Sequence, residues 1–301
     1  MKRIILLCGF SLAMSISYGQ EWFTSFDAAK NFALVQNKML FVLWEDSFQH
    51  PIPILANSDK GNVVVINLSK DDSLDAIIWE YFVPVKLSES YYVDFVNEAK
   101  DRGFRYLDKL NDDSIKIMDI NGNILNLADT SDGLPSMSSL IKSYALNTLF
   151  LKPELESYSK EKNFTTALRL AIKYIDFAIF ANERLRPEII DLANIYLDES
   201  KKILLDTNSE NYEEFSQKIE LIQIKELLVL NQYKKAHRKI KRIDGKQIMQ
   251  MNESLFEFLN YTVFKLLKDE ANAEVWKSKI SLLNLKKAEL ILNNHKNARF
   301  N

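Results

Sequence analysis

The sequence predicts an α/β domain over residues 20–150, with a central mixed sheet and flanking helices, followed by an all-α domain over residues 151–301. Residues 39–44 form an unbroken apolar run, typical of a strand that is covered on both faces. After residue 153 the strand signals fade, and apolar residues recur at helical spacing. The balance of acidic and basic residues also changes near residue 150. Residues 20–150 carry 11 Lys+Arg and 19 Asp+Glu, whereas residues 151–301 carry 26 and 22.

An amphipathic helix is predicted over residues 25–36, just before the apolar run. Phe26, Ala29 and Ala33 recur on one face of this segment, and Ser25 is placed to cap its first turn. Charged and turn residues follow the run. The predicted order is therefore helix, buried strand and loop.

In that order the segment resembles the thioredoxin-like superfamily, whose members carry an aromatic residue and Cys-x-x-Cys at the end of the strand. The matching residues here are Phe48, Gln49, His50, Pro51 and Ile52. Gln49 and Ile52 occupy the positions of the two thiols, and Cys8 is the only cysteine in the chain. Disulfide exchange needs an attacking thiolate and a resolving thiol. The resemblance thus implies a thioredoxin-like domain that has lost its redox chemistry.

Two further features of an active site of this family are missing. The family's helix does not begin after Ile52, because the Pro-rich segment there instead predicts a hairpin, with a turn over residues 57–62 and a strand over residues 63–68. The family's cis-proline, which binds substrate backbone, is expected at about Asp113, where no proline occurs.

The remaining elements of the first domain alternate between helices and strands. We expect helices over residues 71–81, 91–103 and 136–149, and strands over residues 82–87, 114–119 and 123–127, with a tight turn at Asn121-Gly122.

Six or seven helices fit the second domain. The clearest cover residues 164–181, 186–205, 212–230, 233–243, 254–267 and 273–292. The Asn163-Phe164-x-x-Ala167 and Gln232-Tyr233-x-x-Ala236 segments lie close to two 34-residue periods apart, so the region resembles tetratricopeptide-type helical hairpins. Both an open array and a single helical bundle remain compatible with the pattern.

One basic cluster stands out in the helical domain. Its residues are Tyr233, Lys234, Lys235, Arg238, Lys239 and Arg242. A solvated helix face is one interpretation, and a surface for an acidic partner or for lipid headgroups is the other.

The first nineteen residues predict a secretory signal, with Lys2 and Arg3, an apolar core, and the small-x-small cleavage site Ser17-Tyr18-Gly19. No later stretch approaches the roughly 20 apolar residues of a membrane span. The three histidines lack metal-ligand spacing, and the glycines form neither a P-loop nor a dinucleotide fingerprint. We therefore expect no metal or cofactor, no nucleic-acid partner and no catalytic residue.

Two classes of function remain. The first is a redox-inactive interaction module that binds a protein partner in the cell envelope or the periplasm. The second is an accessory of thiol–disulfide metabolism, either an oxidoreductase or a peptide-binding chaperone. The missing cysteines favour the first class.

Overall fold

The computed structural model describes residues 21–58, 61–128, 133–207 and 210–297. The predicted signal at residues 1–19 lies outside these ranges. The described chain combines a small mixed sheet with thirteen α-helices. Among these helices, none has both the length and the apolar character that crossing a membrane requires.

Five strands and five helices form the first part of the chain. The strands are β1 (Leu40–Trp44), β2 (Pro53–Asn57), β3 (Val63–Asn67), β4 (Val83–Leu87) and β5 (Lys116–Met118). The helices are α1 (Phe26–Gln36), α2 (Asp72–Tyr81), α3 (Tyr92–Ala99), α4 (Phe104–Asn111) and α5 (Met137–Tyr144).

Eight helices follow in the described part of the second region. They are α6 (Lys152–Lys160), α7 (Phe164–Phe180), α8 (Arg186–Asp206), α9 (Tyr212–Val229), α10 (Tyr233–Ile240), α11 (Glu253–Leu267), α12 (Glu270–Lys277) and α13 (Leu282–Asn297).

Strand β1 is the centre of a three-stranded sheet with the order β4-β1-β5. It runs parallel to β4 and antiparallel to β5, and all five of its residues are buried. The prediction of a buried central strand is confirmed. The preceding helix is also confirmed, because Ser25 accepts a hydrogen bond from the amide of Ala28 at 3.3 Å and the α1 residues Phe26, Ala29 and Ala33 are buried.

The strand predicted over residues 123–127 is wrong. Only an isolated bridge between Met118 and Ile124 forms there. The side chain of Asn126 takes the place of a continuing ladder, since its Oδ1 accepts from the amide of Ile117 at 2.8 Å and its Nδ2 donates to the carbonyl of Ile115 at 2.9 Å. A side-chain amide therefore satisfies backbone groups that a strand would have paired.

Helix boundaries differ from the predictions in three places. The helix predicted over residues 91–103 ends at Ala99, and α4 follows as a separate helix that buries Tyr106 and Leu110. The helix predicted over residues 136–149 ends at Tyr144. The single helix predicted over residues 273–292 is two helices, because the hydroxyl of Ser281 accepts from the amide of Asn284 at 3.2 Å and caps a new start.

The helical region closes on itself. Helix α13 packs back against α7, where Lys287 Nζ lies 2.7 Å from Asp176 Oδ2 and Asn294 Nδ2 donates to the carbonyl of Ile179 at 2.8 Å. In an open repeat array each repeat contacts only its neighbours. The contact between the last helix and α7 therefore makes this region a bundle.

The buried residues of both regions form one continuous cluster. Polar contacts also join the two regions. The hydroxyl of Tyr144 donates to Glu188 at 3.1 Å, and just before the boundary the amide of Thr148 donates to the carbonyl of Asn37 at 2.9 Å. The helical bundle is thus packed directly on the sheet region.

Candidate partner-binding site beside the central strand

The loop after β1 holds the residues that resemble a redox motif. Glu45–Gln49 form a short 3-10 helix, and His50 follows with extended backbone. The amide group of Gln49 donates to Asp46 Oδ1 at 2.9 Å. Gln49, His50 and Pro51 are exposed. No helix begins at Gln49, which agrees with the predicted hairpin.

The two apolar residues of this loop anchor it to the body of the protein. Phe48 packs edge-on against Trp22 with ring centroids 5.2 Å apart, and Lys86 Nζ lies 4.4 Å from the centroid of the Phe48 ring. The amide of Ile52 donates to Asn67 Oδ1 at 2.9 Å. The loop is therefore held at both ends, with Gln49 and His50 projecting between them.

The loop around Asp113 has a polar clamp where the resemblance would place a proline. Asp112 Oδ1 accepts from the amide of Ser114 at 2.9 Å and from its hydroxyl at 2.6 Å. Lys116 Nζ donates to the carbonyls of Asp112 and Ser114 at 2.5 and 2.9 Å. The described peptide bonds are all trans. Hydrogen bonds, and not a proline ring, fix this turn.

Burial lowers the pKa of Lys116 to about 8, although the carboxylate of Asp112 acts in the opposite direction. The Lys116 side chain has no exposed surface. A solvent-borne substrate therefore cannot reach this amine without opening the loop. Its role in the described geometry is to hold the carbonyls of the Asp112 turn.

The β2–β3 hairpin follows the motif loop and exposes an apolar edge. Strand β3 pairs with β2 on one side, and on its other side no strand is paired within the described residues. Val63, Val64 and Val65 are 65, 37 and 60% exposed. Three consecutive exposed valines on a strand edge are unusual, because proteins normally protect such edges with charge or proline.

Strand β2 is covered, unlike β3. The amide of Leu55 donates to the carbonyl of Pro135 at 2.8 Å, and Asn57 Nδ2 donates to the hydroxyl of Ser138 at 3.2 Å. Ile54 is fully buried. These contacts fix the hairpin to the α5 side of the molecule and leave β3 as its outer edge.

The predicted basic cluster lies on and just after α10. Tyr233 is half-buried and packs against His295 with ring centroids 4.9 Å apart. Lys234, Lys235, Arg238, Lys239 and Arg242 are exposed, and none of them forms a salt bridge with a described carboxylate. The five cations of the cluster are therefore exposed on and just after α10, whereas Tyr233 packs against the bundle.

A cleft between the two regions has no counterpart in the sequence predictions. Its volume is about 600 Å³, and residues from α3, α4 and α8 contribute to its walls. Many of its charged groups are already paired, as Lys202 is with Asp101 at 3.2 Å and Glu199 is with the Tyr158 hydroxyl at 2.6 Å. Within the described residues the exposed β3 edge pairs with no further strand, so we regard it as the stronger candidate site.

The described residues contain no group of three or more His, Cys, Asp or Glu side chains arranged to hold a metal ion. Comparisons with protein-family models, with curated proteins and with solved structures found no match.

Proposed function

We propose that this protein is an exported, redox-inactive thioredoxin-like protein that acts as a protein-interaction module of the cell envelope. The observation that carries the proposal is the exposed, uncharged edge of β3, the second strand of the hairpin that follows a motif loop without thiols. The thioredoxin-like part is supported by the order α1, β1, motif loop and by the position of β1 between parallel β4 and antiparallel β5.

The occupant we propose for the edge is an extended segment of a protein partner, added to the hairpin as a third strand. An edge strand offers free backbone N–H and C=O groups, and the exposed valines favour apolar side chains in the added strand. A second copy of the chain fits less well. A stable interface between two folded proteins buries about 800 Å² on each partner. Strand β3 has only five residues, so pairing two copies of it would bury less surface than this.

Binding to a random-peptide display library tests this function. We expect enriched peptides with alternating apolar residues, and we expect these peptides to protect the β3 amides from hydrogen exchange. The variant Val63→Lys/Val65→Lys should bind them about tenfold more weakly or worse, because lysine on an edge strand blocks pairing. Val35→Lys is the matched control, since Val35 on α1 is also 65% exposed.

Equal binding by the β3 variant and the control would refute peptide binding at the β3 edge.

An insulin-reduction assay separates the interaction module from a thiol oxidoreductase. We expect no turnover above buffer, because Gln49 and Ile52 carry no thiol. Measurable turnover would overturn the redox-inactive part of the proposal.

A further inference from the structure

The solvent side of α10 is a concentrated cationic surface. Six cations are exposed on the helix and directly after it, namely Lys234, Lys235, Arg238, Lys239, Lys241 and Arg242. No described carboxylate forms a salt bridge with any of them. Residues Ala236 and Ile240 are buried and fix the helix to the bundle. The cations therefore stay directed outward on a rigid element.

Exposed apolar side chains border these cations. Lys239 and Arg242 line a groove of about 770 Å³ together with Leu205 and Tyr212. Leu205 is 64% exposed and Tyr212 is 41% exposed. Met249 lies next to this groove. Its backbone amide donates to Oε1 of Gln217 at 2.9 Å, and Gln217 lines the groove.

We call the surface formed by Lys235, Lys239, Arg242, Leu205, Tyr212 and Met249 the α10 surface. Met249 is 36% exposed, and Met251 nearby in sequence is 49% exposed. Exposed apolar side chains next to lysine and arginine are typical of proteins that lie at a bilayer interface, where cations meet anionic headgroups and apolar groups enter the acyl boundary.

We propose that the α10 surface docks this protein on a membrane of anionic lipids. Charge complementarity supports this proposal, because none of the cations forms a salt bridge with a described carboxylate. The charge division of the chain also supports it. Residues 20–150 carry 11 Lys+Arg against 19 Asp+Glu, so an anionic membrane repels the sheet region and favours approach by the helical bundle.

Acidic side chains in the groove limit which part of the α10 surface can contact the lipid. Glu213, Glu220 and Asp244 also line the groove. The interior of the groove is therefore not cationic, and the headgroup contacts belong to the outward faces of α10. A second copy of the chain is a poorer occupant, because joining its acidic region to this surface is a head-to-tail contact that does not close into a dimer.

Sedimentation with lipid vesicles tests the proposal. The protein is residues 20–301, the form expected after signal removal, which contains all of the described packing. One set of vesicles is phosphatidylcholine alone, and the other is an equal mixture of phosphatidylcholine and phosphatidylglycerol. We expect binding to the mixed vesicles only, and weaker binding as ionic strength rises from about 0.01 M to about 0.15 M.

Matched variants assign the binding to the α10 surface. Lys235→Gln/Lys239→Gln/Arg242→Gln should lower the partition coefficient about tenfold or more. Lys70→Gln/Lys142→Gln/Lys160→Gln removes the same charge from exposed lysines elsewhere and should change it less than about twofold. Leu205→Ser should weaken binding relative to Leu283→Ser, since Leu283 is similarly exposed at 65%.

Three results would overturn the proposal. The first is absence of binding to the mixed vesicles, and the second is an equal loss in the two lysine-neutralised variants. The third is salt-sensitive self-association without lipid that the α10 variant abolishes, because this would identify a second copy as the occupant. The proposal is independent of the β3 edge, so its failure leaves the peptide-binding test unaffected.

Discussion

The hydroxyl of Tyr196 donates a hydrogen bond to the buried carboxylate of Asp119, which lies 77 residues earlier in the chain. Tyr174 donates to the same oxygen at 3.0 Å. The other oxygen of Asp119 accepts from the amides of Asn121 and Asn123 at 2.9 and 3.0 Å. Burial raises the pKa of Asp119, and these hydrogen bonds act in the opposite direction. This carboxylate is a polar joint between the sheet region and the helical bundle.

We expect Tyr196→Phe to destabilise the protein more than Tyr174→Phe. The Tyr196 hydroxyl also accepts from the side-chain amides of Asn121 and Asn123 at 3.0 and 2.8 Å. Its removal therefore takes this acceptor from two side-chain amides and one of the hydrogen bonds from Asp119, which keeps that of Tyr174. The expected losses in unfolding free energy are about 3 kcal/mol for Tyr196→Phe and about 1 kcal/mol for Tyr174→Phe. Denaturant unfolding measures both, with the exposed Tyr212→Phe as control. Equal losses would contradict this assignment.

The sequence predicted the elements whose signals are local. The apolar run of β1, the cap at Ser25 and the strand at residues 63–67 each depend on neighbouring residues, and each forms as expected. The turn predicted over residues 57–62 includes residues 59–60, which lie outside the described ranges. The strand predicted over residues 123–127 failed because Asn126 bonds to residues nine and eleven positions away. Such a contact depends on the tertiary arrangement and has no periodic signal.

The candidate sites were predictable to different degrees. The basic cluster of α10 is evident from composition, since charge at helical spacing becomes an exposed face. The hairpin was predicted, but the exposure of its valines was not, because a β-branched run is equally typical of a buried strand. The hydrogen bonds of Asp119 to Tyr174 and Tyr196 could not be predicted, since no local sequence pattern associates these residues.

Lys116 should make the protein more stable as the pH rises above about 8. Burial lowers its pKa from 10.5 to about 8, so between these values the unfolded chain holds a proton that the folded chain has released. Unfolding free energy therefore increases with pH in this window, by on the order of 3 kcal/mol relative to Lys116→Met. Denaturant unfolding of both proteins at the two ends of the window measures the difference. A difference that is constant with pH would show that Lys116 is not desolvated as described.

Glu226→Gln should stabilise the protein at neutral and higher pH. Glu226 is 8% exposed, and its Oε1 has no hydrogen-bond partner among the described residues. Burial raises its pKa from 4.5 to about 7, with Lys201 acting in the opposite direction. The folded chain thus retains a proton that the unfolded chain loses, and stability falls as the pH rises from 4.5 to 7. We expect a gain of about 3 kcal/mol at pH about 8 and almost none at pH about 4. Thermal unfolding at both pH values measures it, with the exposed Glu161→Gln as control.

Restoring the two cysteines should not restore redox activity. In Gln49→Cys/Ile52→Cys the first thiol lies at the last residue of the 3-10 helix Glu45–Gln49, where helix carbonyls disfavour a thiolate, and the next described α-helix begins only at Asp72. The backbone at His50 is extended, with φ −118° and ψ 159°. An extended segment favours the side chains of residues 49 and 52 on opposite sides, which opposes a disulfide between them.

We therefore expect the thiol at position 49 to titrate near the free value of about 8.5, and we expect slow disulfide exchange with a model substrate. The ultraviolet absorbance of the thiolate measures the pKa, and insulin reduction measures the exchange. The single variants Gln49→Cys and Ile52→Cys are the controls, because neither can form an internal disulfide. A pKa far below 8.5 together with rapid exchange would contradict this prediction. It would show that the loop stabilises the thiolate, and that the two missing thiols are the only difference from an active oxidoreductase.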